Sequence, residues 1–370
     1  MSPIARTDQS RLGHWWWTVD HGLLTAVGLL VATGLIMVLA SSPPIARRLG
    51  LPEEHFVIKH LVFLGPALTL LFLMSLLSPL GVLRSARGLL LVFMPLLFAT
   101  LIFAPEIKGA TRWLRLGGVL LQPSEFVKPA LAVVSGWLLA RRPGLGGLPQ
   151  AGALVAAVVA VLLLQPDLGM SVLVLAVFAL QLFTAGLPWI LIPILGAGTL
   201  AVVGLGYSLL PHVRQRIDAF LDPAAEPYQV QAALEAIASG GLFGRGPGEG
   251  VVKFYLPEAH SDFVFATMAE EFGILACLLV LGLFLFVMLR GFARLAASED
   301  RFVIIAGTGL LGQFGLQAFV NMGVNLALLP TKGMTLPFVS YGGSSLLALA
   351  LGIGMLLALL RRGARLEEVS

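Results

Sequence analysis

The chain has 370 residues, of which 58% are hydrophobic and only 12% charged, with a formal net charge of +4. Soluble domains carry about twice that share of charge, so this reads as a polytopic membrane protein whose positive surplus belongs to connections between spans, with no stripe for nucleic acid. The single cysteine, Cys277, lies in an apolar run and the histidines show no ligand spacing, which excludes disulfides, thiolate zinc sites and HExxH chemistry.

Trp15, Trp16 and Trp17 precede the first apolar run and read as an interfacial aromatic anchor. That run is too long for a signal h-region and lacks a small-residue cleavage site. Apolar runs between charge and Pro/Gly punctuation give ten spans, at about 18–40, 56–78, 84–104, 124–140, 149–164, 167–185, 188–210, 262–289, 302–328 and 338–360. Gln165-Pro166-Asp167 is the polar break between the fifth and sixth. An even number of spans puts both termini on one side, and arginines in the short connections, among them Arg84, Arg87, Arg141, Arg142, Arg290 and Arg294, assign that side to the cytoplasm. The expected fold is an all-α polytopic bundle, with 1–370 as a single transmembrane domain. One large extracytoplasmic loop, 211–261, joins spans seven and eight. Within it YQVQAALEAIA (228–238) reads as an amphipathic helix lying on the membrane surface, and SGGLFGRGPGEG (239–250) as a Gly-rich turn region.

Polar groups at membrane depth are costly, so each is a functional candidate. In GATRWLRLGGVLLQPSEFVKPA (109–130), Glu125 and Lys128 stand three apart on a helix and can pair. Ser124 is placed to cap that helix, Pro129 to bend it, and Arg112, Trp113 and Arg115 to rest at the interface. A self-satisfied ion pair with snorkelling arginines accounts for the same pattern. Arg214 and Arg216 suit phosphate contacts, or ordinary headgroup anchoring. In LPEAHSDFVFATMAEE (256–271), Asp262 opens the eighth span with Glu258 one turn earlier. If both are helical they share a face, and paired carboxylates raise each other's proton affinity, as a general base requires. Helix capping is the alternative. In TKGMTLPFVSYGGSS (331–345), Lys332 is the only charge, and the polar run Ser340-Tyr341-Gly342-Gly343-Ser344-Ser345 interrupts the last span, either lining a cavity or packing small residues closely. Gln313, Gln317, Asn321 and Asn325 recur every four residues along the ninth span, again either a cavity stripe or interhelical hydrogen bonding.

An acid, several cations and a partly polar bundle opening to one side suit a lipid-linked phosphorylated substrate. In GATRW (109–113), QPSEFVK (122–128), ASGGLFGRG (238–246), LPEAHSDFVFATMAEE (256–271) and LPTKGMTLPFVSYGGSS (329–345) the sequence resembles the SEDS family of shape, elongation, division and sporulation proteins, most closely its FtsW branch. The wording YLPEAHSDF and the lysine of PTKG resemble that division branch more than the elongation branch, RodA; a sporulation paralogue is a close relative. HSDF departs mildly from the family's HTDF-type wording and keeps the acid.

The resemblance implies a SEDS-type bundle and a peptidoglycan glycosyltransferase that polymerises lipid II into β-1,4 glycan outside the cytoplasmic membrane in septal wall synthesis. It implies a cognate class B penicillin-binding protein as partner, its single helix packing on the eighth and ninth spans, together with other divisome proteins. The family's aspartate falls on Asp262, its motif arginine on Arg112, its fourth-span pair on Glu125 and Lys128, and its PTKG lysine on Lys332. Asp262 is then the expected base for the acceptor hydroxyl in an inverting displacement. Arg112, Lys128, Lys332, Arg214 and Arg216 are candidates to neutralise pyrophosphate, with Mg²⁺ as a candidate helper and no organic cofactor. Glu125, Glu258, Ser340 and Tyr341 complete the candidate substrate contacts, while Glu270 and Glu271 are expected to shape the site or bind cations. Two other readings stand: a lipid II flippase, and a non-catalytic scaffold for the transpeptidase. A flippase calls for inverted repeats around a midplane site, whereas the ionisable residues here lie near one face.

Overall fold

The computed structural model describes residues 10–106, 111–117, 119–142, 144–186, 188–209, 211–221 and 228–366. A helix lies over each of the ten predicted spans: α2 (His21–Arg48), α3 (His55–Ser75), α4 (Pro79–Phe103), α5 (Pro123–Arg141), α6 (Leu148–Leu164), α7 (Leu168–Thr184), α8 (Leu191–Leu209), α11 (Val264–Ala296), α12 (Arg301–Asn325) and α13 (Gly343–Leu359). Five of these, α2, α3, α4, α11 and α12, are long and apolar enough to cross a bilayer by length and composition, and several others are shorter apolar helices. Short polar side chains set the starts. Asp20 accepts from the Leu23 amide at 3.0 Å, Ser78 from Gly81 at 3.2 Å, Asp167 from Met170 at 3.3 Å and Asp300 from Val303 at 3.1 Å.

Between the spans lie α1 (Arg11–Thr18), α9 (Pro211–Leu221), α10 (Tyr228–Gly240) and a two-stranded antiparallel hairpin, β1 (Leu114–Leu116) with β2 (Val119–Leu121), in register Arg115 opposite Leu120. The centre of the bundle is α12, buried on nearly every side and packed by α5, α7, α11 and α13. That position explains its uniform apolarity and the concentration of amides upon it, since a polar group buried there must find a partner.

Several local expectations are corrected. Trp15 is buried, donates its indole N–H to Ser75 Oγ at 3.0 Å and meets Phe72 edge-on, so this part of the aromatic anchor holds α1 to α3. The amphipathic helix α10 buries Val230, Ala232, Ala233 and Ala236 and packs on α11, so protein covers its apolar face. Arg112–Arg115 leads into the hairpin, which Ser344 ties to the head of α13 by accepting from the Gln122 amide and donating to Leu120 O, both at 3.2 Å. Ser124 does not cap α5: Gln122 occupies that position, and α5 continues through Pro129 to Arg141. The last span starts late, because 337–342 are not helical and α13 begins only at Gly343.

The Gly-rich stretch repairs a break in α11. Gly273, at φ 79° and ψ 176°, interrupts the helix and frees backbone groups on either side. Arg245 and Gly246 amides donate to Glu270 O and Glu271 O at 2.9 and 3.0 Å, and Ile274 and Leu275 amides donate to Gly241 O and Leu242 O at 3.0 and 3.3 Å. Such close passage needs glycine: a Cβ on Gly273 would stand 2.3 Å from Leu242 O, and one on Gly244 2.2 Å from Glu271 O.

Candidate active site

Residues 256–263 are turns, Glu258 has a left-handed φ of 54°, and α11 starts at Val264 with Phe263 as N-cap and no side-chain cap bond. Glu258 and Asp262 therefore share no helix face, and neither caps α11. Glu258 instead accepts from Ser261 Oγ at 3.0 Å. What fixes Asp262 is its backbone. Its carbonyl accepts from Asn321 Nδ2 and from Asn325 Nδ2, each at 2.9 Å. Asn325 Oδ1 takes the Ala266 amide at 2.9 Å, and Asn321 Nδ2 also donates to Met334 O at 2.6 Å. The polar stripe of α12 thus clamps the HSDF turn and the PTKG loop together, the hydrogen-bonding reading of the stripe, and the loops it joins form the candidate site.

Further bonds close the same junction. Tyr341 N donates to His260 O at 2.9 Å, Ser340 Oγ to Ser261 O at 2.5 Å, and the rings of His260 and Tyr341 stack at 5.1 Å. Ser340 through its hydroxyl and Tyr341 through its amide and ring thus help hold the Asp262 turn. Gly333 passes so near that a Cβ there would lie 3.1 Å from Asp262 Oδ2.

One residue away, Lys332 forms an ion pair with Asp167, and Arg112 reaches the same carboxylate from the hairpin side, Nε to Oδ2 at 3.3 Å, while its Nη2 donates to Pro166 O at 2.7 Å. The Lys332 stem runs over Gly169, where a Cβ would fall 2.3 Å from its Cε. Asp167 is the residue that reading the sequence missed. It appeared only as a polar break, yet it is an acid at a helix start in an otherwise uncharged stretch, in a chain with two cations still lacking a counter-ion. Burial makes such pairing obligatory, so the distant GATRW and PTKG cations meet on it.

The remaining candidates separate. Glu125 and Lys128 pair at 3.0 Å, both buried, and Lys128 also donates to Gln317 Oε1 at 3.1 Å. Gln317 Nε2 continues to Thr335 O at 3.1 Å, so this pair supports the PTKG loop from beneath with its own charges balanced. Arg214 lies on α9, exposed, pairing with Asp218 at 3.6 Å over the Tyr207 ring, and is not part of the Asp167 group. The side chain of Arg216 lies outside the described residues, as do Gly109 and Ala110 of the GATRW motif. Glu270 and Glu271 face the loop that precedes the HSDF turn. Glu270 accepts from the amides of Val251, Val252 and Lys253 at 2.6, 2.7 and 3.0 Å, and Glu271 pairs with Lys253, so both staple the loop across the α11 break. On that loop Tyr255 donates to Glu235 at 2.9 Å, and desolvation together with that carboxylate raises its phenol above the ordinary range. Among the described residues no three His, Cys, Asp or Glu side chains gather.

An all-helical bundle with several bilayer-length apolar helices and one polar site between their loops defines a multi-pass membrane protein. A family model for the FtsW/RodA/SpoVE cell cycle proteins matches residues 21–364. The chain belongs to this family, and to its FtsW branch. It is 44% identical over 368 residues to a Caulobacter vibrioides protein named probable peptidoglycan glycosyltransferase FtsW, covering 97% of this chain and 93% of the relative. A Coxiella burnetii protein of the same name is 37% identical over 362 residues, covering 92% and 96%. Among solved structures, one chain from work on polymerization and crosslinking by a peptidoglycan synthase complex superposes with a TM-score of 0.78 at 32% identity, covering 93% of this chain and 98% of that one. The Thermus thermophilus rod shape determining protein RodA superposes with a TM-score of 0.70 at 32% identity, covering 93% and 97%.

Proposed function

We propose that the protein is a peptidoglycan glycosyltransferase that polymerises lipid II during septal wall synthesis, with Asp262 as general base and Arg112 and Lys332 neutralising the pyrophosphate. One observation carries this reading: a single loop sets the Lys332–Asp167–Arg112 group next to Asp262, with only Gly333 between. In an inverting displacement the base and the leaving group occupy opposite faces of the sugar, so the proton acceptor and the cations that meet the pyrophosphate have to be separate groups.

The acceptor 4-hydroxyl gives its proton to the Asp262 carboxylate as its oxygen bonds to the donor anomeric carbon. The α C1–O bond breaks, its electron pair leaves with undecaprenyl pyrophosphate, and a β-1,4 link results. Two cations against one carboxylate leave one surplus positive charge for the leaving group, the arrangement by which preorganised charge lowers such a barrier. Glu125 with Lys128 supports the loop; Mg²⁺ carried by the pyrophosphate would add to the same neutralisation. Both termini are assigned to the cytoplasm and the site to the outer face of the bacterial inner membrane. A class B penicillin-binding protein is assigned as partner, within a wider divisome, a pairing of polymerization with crosslinking like that of the similar synthase complex.

The test is lipid II polymerisation by the purified protein, alone and with that partner, comparing wild type with Asp262→Asn. Loss of a general base is expected to lower the rate by about 10²–10⁴-fold while the melting temperature holds. Equal product from both would remove Asp262 from the reaction. No product from wild type beside an active control would favour lipid II flipping or scaffolding, and translocation in vesicles would separate those two.

A further inference from the structure

A second carboxylate faces two cations at the far end of α11, about 40 Å along the helix from Asp262 at 1.5 Å per residue. Asp20 is fully buried and caps α2 through the Leu23 amide at 3.0 Å. Its Oδ1 accepts from Arg290 Nε and its Oδ2 from Arg294 Nε, both at 2.6 Å. The two arginines stand four apart on one helix face, so a single carboxylate fixes their spacing. Among the described residues neither guanidinium makes a further hydrogen bond, and they remain 41% and 31% exposed. Other arginines at this end are already occupied: Arg361 donates to Leu77 O, Arg301 to Ala185 O at 3.2 Å, and Arg365 pairs with Glu299 at 2.7 Å. Gly22 makes room for the arrangement, since a Cβ there would lie 2.7 Å from Arg290 Nε.

We propose that Asp20, Arg290 and Arg294 form a binding site for the phosphodiester headgroup of an anionic glycerophospholipid of the phosphatidylglycerol class. Among the described residues the charge count asks for one anion, because two guanidiniums oppose one carboxylate. The geometry asks for a phosphate, because each Nε is held by Asp20 and the Nη donors of two planar forks, four residues apart on one helix, are left for a ligand that accepts from both. The location asks for a lipid. Phe286, Leu289 and Phe292 expose apolar surface on the same stretch of α11, where acyl chains would lie, and Arg290 sits over the Phe286 ring at 5.7 Å. A snorkelling arginine needs no buried counter-ion; Asp20 adds a fixed distance between two forks, which selects a ligand able to bridge them.

The experiment is native mass spectrometry of the full-length protein, released from detergent with phosphatidylglycerol or phosphatidylcholine added in turn. Wild type is expected to retain phosphatidylglycerol in preference. The double variant Arg290→Gln/Arg294→Gln is expected to lose that preference by about tenfold, the worth of one charge-assisted hydrogen bond. Arg290→Lys/Arg294→Lys keeps the charges and the pairing with Asp20, guards against misfolding of the first variant, and is expected to fall between. Arg84→Gln/Arg142→Gln removes two exposed charges from the same end, outside the Asp20 group, and is expected to behave as wild type. Equal loss in that control, or full retention in the lysine variant, would overturn a templated site in favour of diffuse surface charge. An equivalent adduct formed with inorganic phosphate alone would overturn the lipid assignment.

Discussion

Asp167 and Asp20 are the same device in two settings. Each is a buried carboxylate that caps a helix, and each is flanked by two cations. They differ in where the cations end. Arg112 and Lys332 are 14% and 12% exposed, whereas Arg290 and Arg294 are 41% and 31% exposed. A surplus charge that water or headgroups can reach is inexpensive, while one enclosed by protein is both costly and strong, since the effective dielectric falls with burial. The same three charges therefore serve as a surface contact at one end of the bundle and as candidate catalytic electrostatics at the other.

Removing the carboxylates should separate the two most widely. Asp167→Ala leaves two enclosed cations without a counter-ion and is expected to cost about 3–5 kcal/mol of stability, read as a lower melting temperature in detergent. Asp20→Ala leaves cations that can rehydrate, and its expected cost is about 1–2 kcal/mol, chiefly the lost cap. Equal costs would mean that burial of the partners does not distinguish the sites.

A smaller effect is expected on the helix that joins the two regions. Gly273→Ala sets a side chain at φ 79° and 2.3 Å from Leu242 O, for an expected loss of about 1–3 kcal/mol. Hydrogen exchange should locate it: protection falls over 240–253, which the α11 break anchors, and persists near Arg290 and Arg294. Loss at both ends would show that α11 transmits the break along its whole length.

Smallest is the response to salt. The melting difference between wild type and Asp20→Asn should shrink between low and half-molar salt, as the Debye length drops from tens of ångströms to about 4 Å. The corresponding difference for Asp167→Asn should stay constant. Parallel behaviour would place both groups in contact with solvent.

Much of the architecture was legible in the chain because burial in a bilayer imposes a coarse rule: apolar runs of sufficient length, ended by charge or by Ser and Asp caps, become helices. Glu125 and Lys128 were legible as a pair for a local reason, their three-residue spacing. Asp262 stood out by its wording, but the helix assumed to carry Glu258 beside it does not exist, because Asn321 and Asn325 hold 256–263 in turns that no local pattern encodes. The partners of Glu270 and Glu271 were not legible for the same reason, since the amides and the lysine they meet belong to a loop packed against the Gly273 break.

By itself, then, the sequence determined the membrane class, the sequence positions of the ten helices and the presence of cations in the GATRW and PTKG motifs. Tertiary structure decided which charges meet. Arg112 and Lys332 are 220 positions apart, and a buried carboxylate at the polar break draws both together because in a low-dielectric interior an unpaired charge is costlier than the chain entropy of joining them.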